Sequence, residues 1–427
     1  MSTTIIRNGR VIDPANKRDE IADLYVADGR VAGMSDVRDQ RSGVEEIDAT
    51  GFIVAPGLVD MHVHLREPGF SHKETIESGA RAAAAGGFTT IVCMPNTSPV
   101  PDNAGTIAWI RDRACAMARV NVLPTGTISK NLEGAELAPI GSLAQAGVVA
   151  ITDDGHCIQN HEVMRRAVEY ARMVGVPVLD HCQEYNLVGN GVVHEGYWST
   201  LLGLPGWPAA GEEAIVMRNI LLAELCDHQI HCQHVSAAGS VRLIREARKR
   251  GVKISGEICP HHIALTDEAI QNFDTNYKMN PPLRSQTDVD ALLEGIADGT
   301  LSILCSDHAP HANFEKEVEF DVAPFGIVGL ETELGLFIDL LVHKHAKIDI
   351  VRLIEMYTVE PARLLKLDAG SLSAGARADV TLIDPALEWT VSVDEFHSAS
   401  RNSPFDGWKL KGRAVRTIVG GKTVWKL

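Results

Sequence analysis

Positive charge is scarce in this chain of 427 residues: 40 Lys and Arg against 56 Asp and Glu leave a formal net charge of −16. Nucleic acids and membrane surfaces are themselves polyanionic, so this balance argues against both as partners. An anionic small molecule would need a local positive site to bind here. Long apolar runs are missing as well. No stretch approaches the ~20 residues that span a bilayer, and Met1 to Asp13 alternates polar and apolar residues without a signal-peptide core. Nor is there a CxxC pair among the eight cysteines, Cys93, Cys115, Cys157, Cys182, Cys226, Cys232, Cys259 and Cys305. Several sit in apolar strand-like runs, where a thiol behaves as a small hydrophobe. They read as reduced and mostly buried, which points to the cytoplasm. Low-complexity segments are absent too.

What remains has the composition of an ordinary globular enzyme, 45% apolar and 22% charged. The length calls for one large domain and a smaller one. From Ile5 to Ile53 the chain shows short alternating strands, with Asn8-Gly9 and Asp28-Gly29 as hairpin signals. A matching β-rich stretch closes the chain, through ADVTLIDP and RAVRTIVGGKTVWKL. Each piece is too small to fold alone, so the two are expected to pair into one sandwich.

Between them eight apolar strand-like runs alternate with helical segments such as KETIESGARAAAAGG and SVRLIREARKRG, which end on glycine. That is the arithmetic of a TIM barrel. Nearly every run ends in His, Asp or Asn, at the rim where such barrels assemble active sites. The expected fold is therefore α/β: a (β/α)8 barrel over residues 56–364, with a β-sandwich built from residues 1–55 and 365–427.

His62 and His64 stand at i and i+2 in VDMHVHL, so their imidazoles share one face of a strand. By itself that pattern is common in strand ends that bind nothing. Further along, Asp154, His181, His234 and Asp307 end other predicted strands, and six such residues on one rim are hard to explain as turns. Four His and two Asp suit two divalent ions of the Zn2+ type. His62, His64 and Asp307 would hold one ion, His181 and His234 the other. Asp154 would bridge them together with a hydroxide, with Asp153 as the local competitor. His156, His231, His261, His262 and His308 are left outside the first set. Arg66, two residues past His64, is the expected partner of a substrate carboxylate, since a guanidinium fork binds one bidentately.

Taken together, HVHLREPG, CMPNT, TDDG, QHVSA, EICPHH, NYKMNPPLR, SDHAPH and APFGIVGLET closely resemble the dihydroorotases of the amidohydrolase superfamily, in their longer-chain bacterial form. The resemblance runs from about residue 5 to the C-terminus. It implies the same six metal ligands and favours Asp154 over Asp153. It also accounts for the missing lysine at the end of the fourth strand, because in this type an aspartate replaces the carbamylated lysine of other members. For substrate binding it implies His64, Arg66, Asn96, Asn280 and His311, with backbone groups at Phe325 and Gly326.

The implied reaction is the reversible cyclisation of N-carbamoyl-L-aspartate to L-dihydroorotate, a step of pyrimidine biosynthesis, through a hydroxide bridging two metal ions. Asp307 would act as general base and then general acid. Two rivals stand beside this reading. One is another cyclic-amide hydrolase of the hydantoinase, dihydropyrimidinase or allantoinase kind. The other is a structural partner of aspartate transcarbamoylase. A homodimer is the simplest assembly, and the charged segment Asn313 to Asp321 reads as a solvated loop.

Overall fold

A computed structural model describes residues 3–34 and 44–427. Eight parallel strand positions close into a barrel. Leu58–Val63, Phe88–Cys93 and Asn121–Pro124 pair in that order. Val178–Asp180, Ile230–Cys232, Ile254–Ile258 and Ile303–Leu304 form a second parallel run. Ile151 bridges Gly126 on one side and Val178 on the other, and the bridge from Val63 to His308 closes the ring. These strands are rich in Val and Ile because both of their faces are buried. Helices cover the outside: Ile76–Gly86 begins with a Thr75–Ser78 capping box and stops at Gly87.

The two chain ends meet in one eight-stranded sheet that folds over as the sandwich. Thr3–Asp13 is its pivot. Along one edge it pairs antiparallel with Arg18–Ala27, and along the other it runs parallel first to Val44–Asp48 and then to Ile53–Pro56. Ile53–Pro56 continues antiparallel to Val380–Thr390, which leads on to Lys409–Val419 and Lys422–Lys426. Ile6, Leu24 and Val26 from the first end share one core with Val380, Leu382 and Ile418 from the other. Neither half could bury that core by itself.

Three local expectations are corrected. Asn8-Gly9 is no hairpin turn: it lies inside Thr3–Asp13, where the register shifts between Ile6 and Gly9 and Asn8 has a φ of 60°. This is a β-bulge, and the chain instead reverses after Asp13, through the short helix Pro14–Asn16. The run FIVAPGLVDMHVH is two strands, Ile53–Pro56 in the sandwich and Leu58–Val63 in the barrel. Gly57 separates them where a Cβ would lie 2.0 Å from Thr89 Oγ1. Finally, Asn313–Lys316 is a helical turn with Lys316 buried, so this segment is not simply solvated.

The C-terminal part also reaches the barrel mouth. Ser398 Oγ and Ala399 N donate to Glu74, while Asn402 Nδ2 donates to the carbonyls of Ala309 and Gly326. No helix among the described residues is long and apolar enough to cross a membrane.

Candidate metal centre and active site

Parallel strands present their carboxyl ends together, so residues remote in sequence converge at one mouth. His62 belongs to the first strand, and His64 follows it. Asp154 lies just past the bridge at Ile151, His181 just past Val178–Asp180, and His234 and Asp307 two or three residues beyond their strands. The local backbone is unusual: Arg66, His234 and Asp307 have φ values of 58°, 32° and 47°. Non-glycine residues in that region are costly and concentrate at functional sites.

Asp154 is the hub. Its Oδ1 lies 3.3 Å from His62 Nε2 and 3.8 Å from both His181 Nδ1 and His234 Nε2; its Oδ2 lies 3.4 Å from His64 Nε2. Asp307 Oδ1 approaches His64 Nε2 at 3.1 Å and His62 Nε2 at 3.5 Å. Asp153 faces away, accepting from Ile128 N, Ser129 N and Ser129 Oγ. Two overlapping sets, His62–His64–Asp307 and His62–Asp154–His234, have donor atoms close enough to hold a metal ion.

Outer hydrogen bonds fix which nitrogen each ring turns inward. His62 Nδ1 donates to Glu257 Oε1 at 2.6 Å, His64 Nδ1 to Asn96 Oδ1 at 2.8 Å, and His181 Nε2 to Gln183 Oε1 at 3.0 Å. The remaining nitrogen of each of these rings faces Asp154. Burial, followed by the neighbouring His234, pushes the His181 ring down to about 4, which keeps it neutral. Burial would also lower His62, but Asp154, Asp307 and Glu257 outweigh it and draw that ring well above its ordinary value. The mouth therefore attracts positive charge.

The donors also fit a metal on a second count. His62 Nε2 and Asp154 Oδ1 are buried without any hydrogen-bond partner, a costly arrangement unless a ligand satisfies them. Two inward imidazole nitrogens, His181 Nδ1 and His234 Nε2, lie only 2.7 Å apart. Imidazole and carboxylate are the donor types that divalent zinc-like ions take.

Every residue expected at the site except His62 lines one cavity of about 470 Å³; Gly155, His156, Ala309 and Pro324 complete its wall. His62 lies beneath it, fully buried. Arg66 Nε donates to the Pro310 carbonyl at 3.2 Å. Among the described residues no carboxylate lies within ion-pair distance of its guanidinium. Burial lowers Arg66 to about 10, which still leaves it charged. Asn280 Oδ1 is buried and unpartnered. His311 is already engaged: it accepts from Lys73 at Nδ1, 3.3 Å away, and donates from Nε2 to the Phe325 carbonyl at 2.8 Å. Burial, then the cations Arg66 and Lys73, push that ring down to about 2, so it stays neutral with its one N–H committed.

Several contributors went unnoticed in the sequence. Glu257 binds His62 Nδ1, His234 N and His231 Nε2 at once, and an acid inside the apolar strand Ile254–Ile258 was its only signal. Gln183, Lys316 and Asn402 carried none.

The fold has counterparts among solved enzymes. The chain aligns over 100% of its length with an L-hydantoinase (dihydropyrimidinase) from Arthrobacter aurescens, covering 96% of that chain, at a TM-score of 0.89 and 26% identity. Fold and site define the class: a cyclic-amide hydrolase with the amidohydrolase architecture. Residues 51–240 match the family model described as dihydro-orotase-like. Relatives named dihydroorotase are 49% identical in Citrifermentans bemidjiense, over 99% of both chains, and 50% identical in Pelotomaculum thermopropionicum, over 98% of both. The chain belongs to the dihydroorotase family.

Proposed function

We propose that this enzyme interconverts N-carbamoyl-L-aspartate and L-dihydroorotate at the barrel mouth. The observation that carries the reading is the guanidinium of Arg66, with no carboxylate in ion-pair distance among the described residues, in the same cavity as His64, His181, His234, Asp154 and Asp307. Dihydroorotate differs from dihydrouracil by a ring carboxylate, and Arg66 offers that group a fork of donors in an otherwise acidic chain.

In this proposal His62, His64 and Asp307 would hold one divalent ion and His181 and His234 another, with Asp154 facing all four histidines. Zn2+ suits this donor set. Such ions supply Lewis acidity and hydroxide near neutral pH. The remaining work falls to the chain. Arg66 holds the substrate carboxylate. Asn96 and Asn280 offer amide donors and acceptors to the ring or ureido group, and backbone groups of Phe325 and Gly326 border the same space. His311 serves by fixing the Phe325 carbonyl while its N–H remains there. Asp307 takes the proton from the attacking water and passes it to the departing ring nitrogen; in the biosynthetic direction it takes the ureido proton first. Ring opening creates a second carboxylate and releases a proton, so acid favours cyclisation.

The proposal also divides the chain at 1–55, 56–364 and 365–427, supported by the pairing of Ile53–Pro56 with Val380–Thr390. It places the enzyme in the cytoplasm, in keeping with free cysteines of which only Cys115 is exposed. A homodimer is supported by Met217, Leu221 and Leu225, exposed at four-residue spacing on the helix Ala210–Cys226. Association with aspartate transcarbamoylase belongs to the same reading and is tested by co-elution of the two proteins.

Turnover of L-dihydroorotate, followed by absorbance beside dihydrouracil and allantoin, tests the function. Ring opening of dihydroorotate that chelation abolishes is the expected result. Faster turnover of dihydrouracil or allantoin would favour a hydantoinase-like enzyme, the reading the shared fold supports.

A further inference from the structure

A second group of buried donors lies beside the barrel-mouth cluster and takes no part in the proposed reaction. The strand Ile254–Ile258 runs through Cys259 and Pro260 into the short helix His261–Ala264. There the donor atoms of Cys259, His261 and His262 lie within 4.8 Å of one another, and all three residues are buried. The two rings stand 4.3 Å apart between centroids.

The hydrogen bonding is incomplete in a specific way. His261 is 1% exposed, yet neither of its ring nitrogens has a partner. His262 donates from Nε2 to the Pro281 carbonyl at 3.0 Å, so its orphaned Nδ1 carries a lone pair. Buried polar atoms are almost always satisfied, and three orphans around one thiol ask for an occupant.

We infer that Cys259, His261 and His262 form a separate site for one soft d10 cation, Zn2+ or Cu+, bound by one sulfur and two imidazole nitrogens. Hard ions such as Mg2+ and Ca2+ take oxygen ligands, and no carboxylate belongs to this set. Burial keeps both imidazoles neutral by pushing His262 down to about 4 and His261 well below its ordinary value, so their lone pairs are available. Burial also holds the Cys259 proton on its sulfur, with the thiol pushed up to about 12. The arriving cation accepts the sulfur lone pair and the thiol proton leaves to solvent. Three donors suit Cu+ directly. For Zn2+, which takes four, the Cys305 sulfur stands 3.5 Å from that of Cys259.

This inference does not depend on the substrate, and its test does not use turnover. None of the six residues at the barrel mouth is a cysteine, so a thiolate-to-cobalt charge-transfer band reports on thiol sites alone. Full-length protein is loaded with Co2+ in place of Zn2+, and in parallel titrated with Cu+ against a competing Cu+ chelator. We expect the cobalt band, or one tight copper equivalent, in the wild type and in Cys115→Ser, which removes the exposed thiol. Both signals should vanish in Cys259→Ser, and His261→Gln should bind at least tenfold more weakly. The arm that responds identifies the ion. Wild-type protein with neither signal, or either signal persisting in Cys259→Ser or lost in Cys115→Ser, overturns the site.

Discussion

Glu257 Oε1 lies 2.6 Å from His62 Nδ1, joining the seventh barrel strand to the first beneath the floor of the cavity. The same oxygen accepts from His234 N, and its partner oxygen accepts from His231 Nε2. One carboxylate thus orients a ring and positions the backbone of a second site histidine. Outer partners of this kind typically alter metal affinity roughly 10- to 100-fold. Glu257→Gln should lose metal to a chelator more readily by such a factor, with loss of activity that excess metal restores in part. Unchanged ion retention would remove Glu257 from this role.

Asp307 is the residue expected to move the proton. Asp307→Asn keeps the shape and an oxygen toward His64 but cannot accept a proton, so turnover should fall by at least ~10²- to 10⁴-fold in both directions. Forward and reverse assays on metal-loaded protein decide this, and substantial residual activity would assign the proton transfer elsewhere.

Arg66 is proposed to separate dihydroorotate from uncharged ring amides. Charge-assisted hydrogen bonds contribute about 1.5–3 kcal/mol, so Arg66→Gln should lower kcat/KM for dihydroorotate roughly 10- to 100-fold. Any side activity on dihydrouracil should barely change, because that ring has no carboxylate. An equal loss on both substrates would mean Arg66 supports the site without reading the carboxylate.

Lys316 ties the loop that borders the cavity, donating to the carbonyls of Pro324 at 2.9 Å and Gly326 at 3.1 Å. Burial, assisted by the nearby Lys278, pushes its ammonium down to about 7, against an ordinary 10.5. Between those values the unfolded chain holds a proton that the folded chain has released. Its contribution to stability therefore rises as pH rises from about 7 toward 10.5, and is flat below 7, where both states are protonated. The slope is on the order of 1 kcal/mol per pH unit inside that window. Urea unfolding of wild type and Lys316→Met at pH 7 and pH 9 should show the rise diminished in the variant. Parallel slopes would contradict the buried titration.

Met217, Leu221 and Leu225 are 51%, 59% and 62% exposed along one helix. If this stripe joins two copies, Leu221→Glu should convert a dimer to a monomer in light scattering after size exclusion, with the fold intact. A wild-type monomer at working concentration would argue against it.

How far the sequence could be read depended on the range of the signal. His62 and His64 were legible because i and i+2 share a strand face whatever lies across from it. The helix ends at Gly87 and the turn at Asp28-Gly29 were equally local. Asn8-Gly9 misled because a left-handed pair suits both a hairpin and a bulge, and only the neighbouring strand decides between them. Lys316 misled because a charged run looks solvated until three backbone carbonyls are seen to converge on it.

By itself, then, the sequence determined the alternation of strands and helices, the two β-rich ends and the polar residues at strand ends, all of which depend on period and local backbone preference. Residue chemistry and spacing left Asp154 and Asp153 open, the family resemblance favoured Asp154, and tertiary structure shows it facing the four histidines. Tertiary structure alone decided that Glu257 grips His62 from across the barrel and that Asn402 braces the cavity from the far end of the chain. Those contacts join residues up to 195 positions apart or turn on a single strand's register. Only closure of the barrel, which trades chain entropy for a shared buried core, brings them within hydrogen-bonding distance.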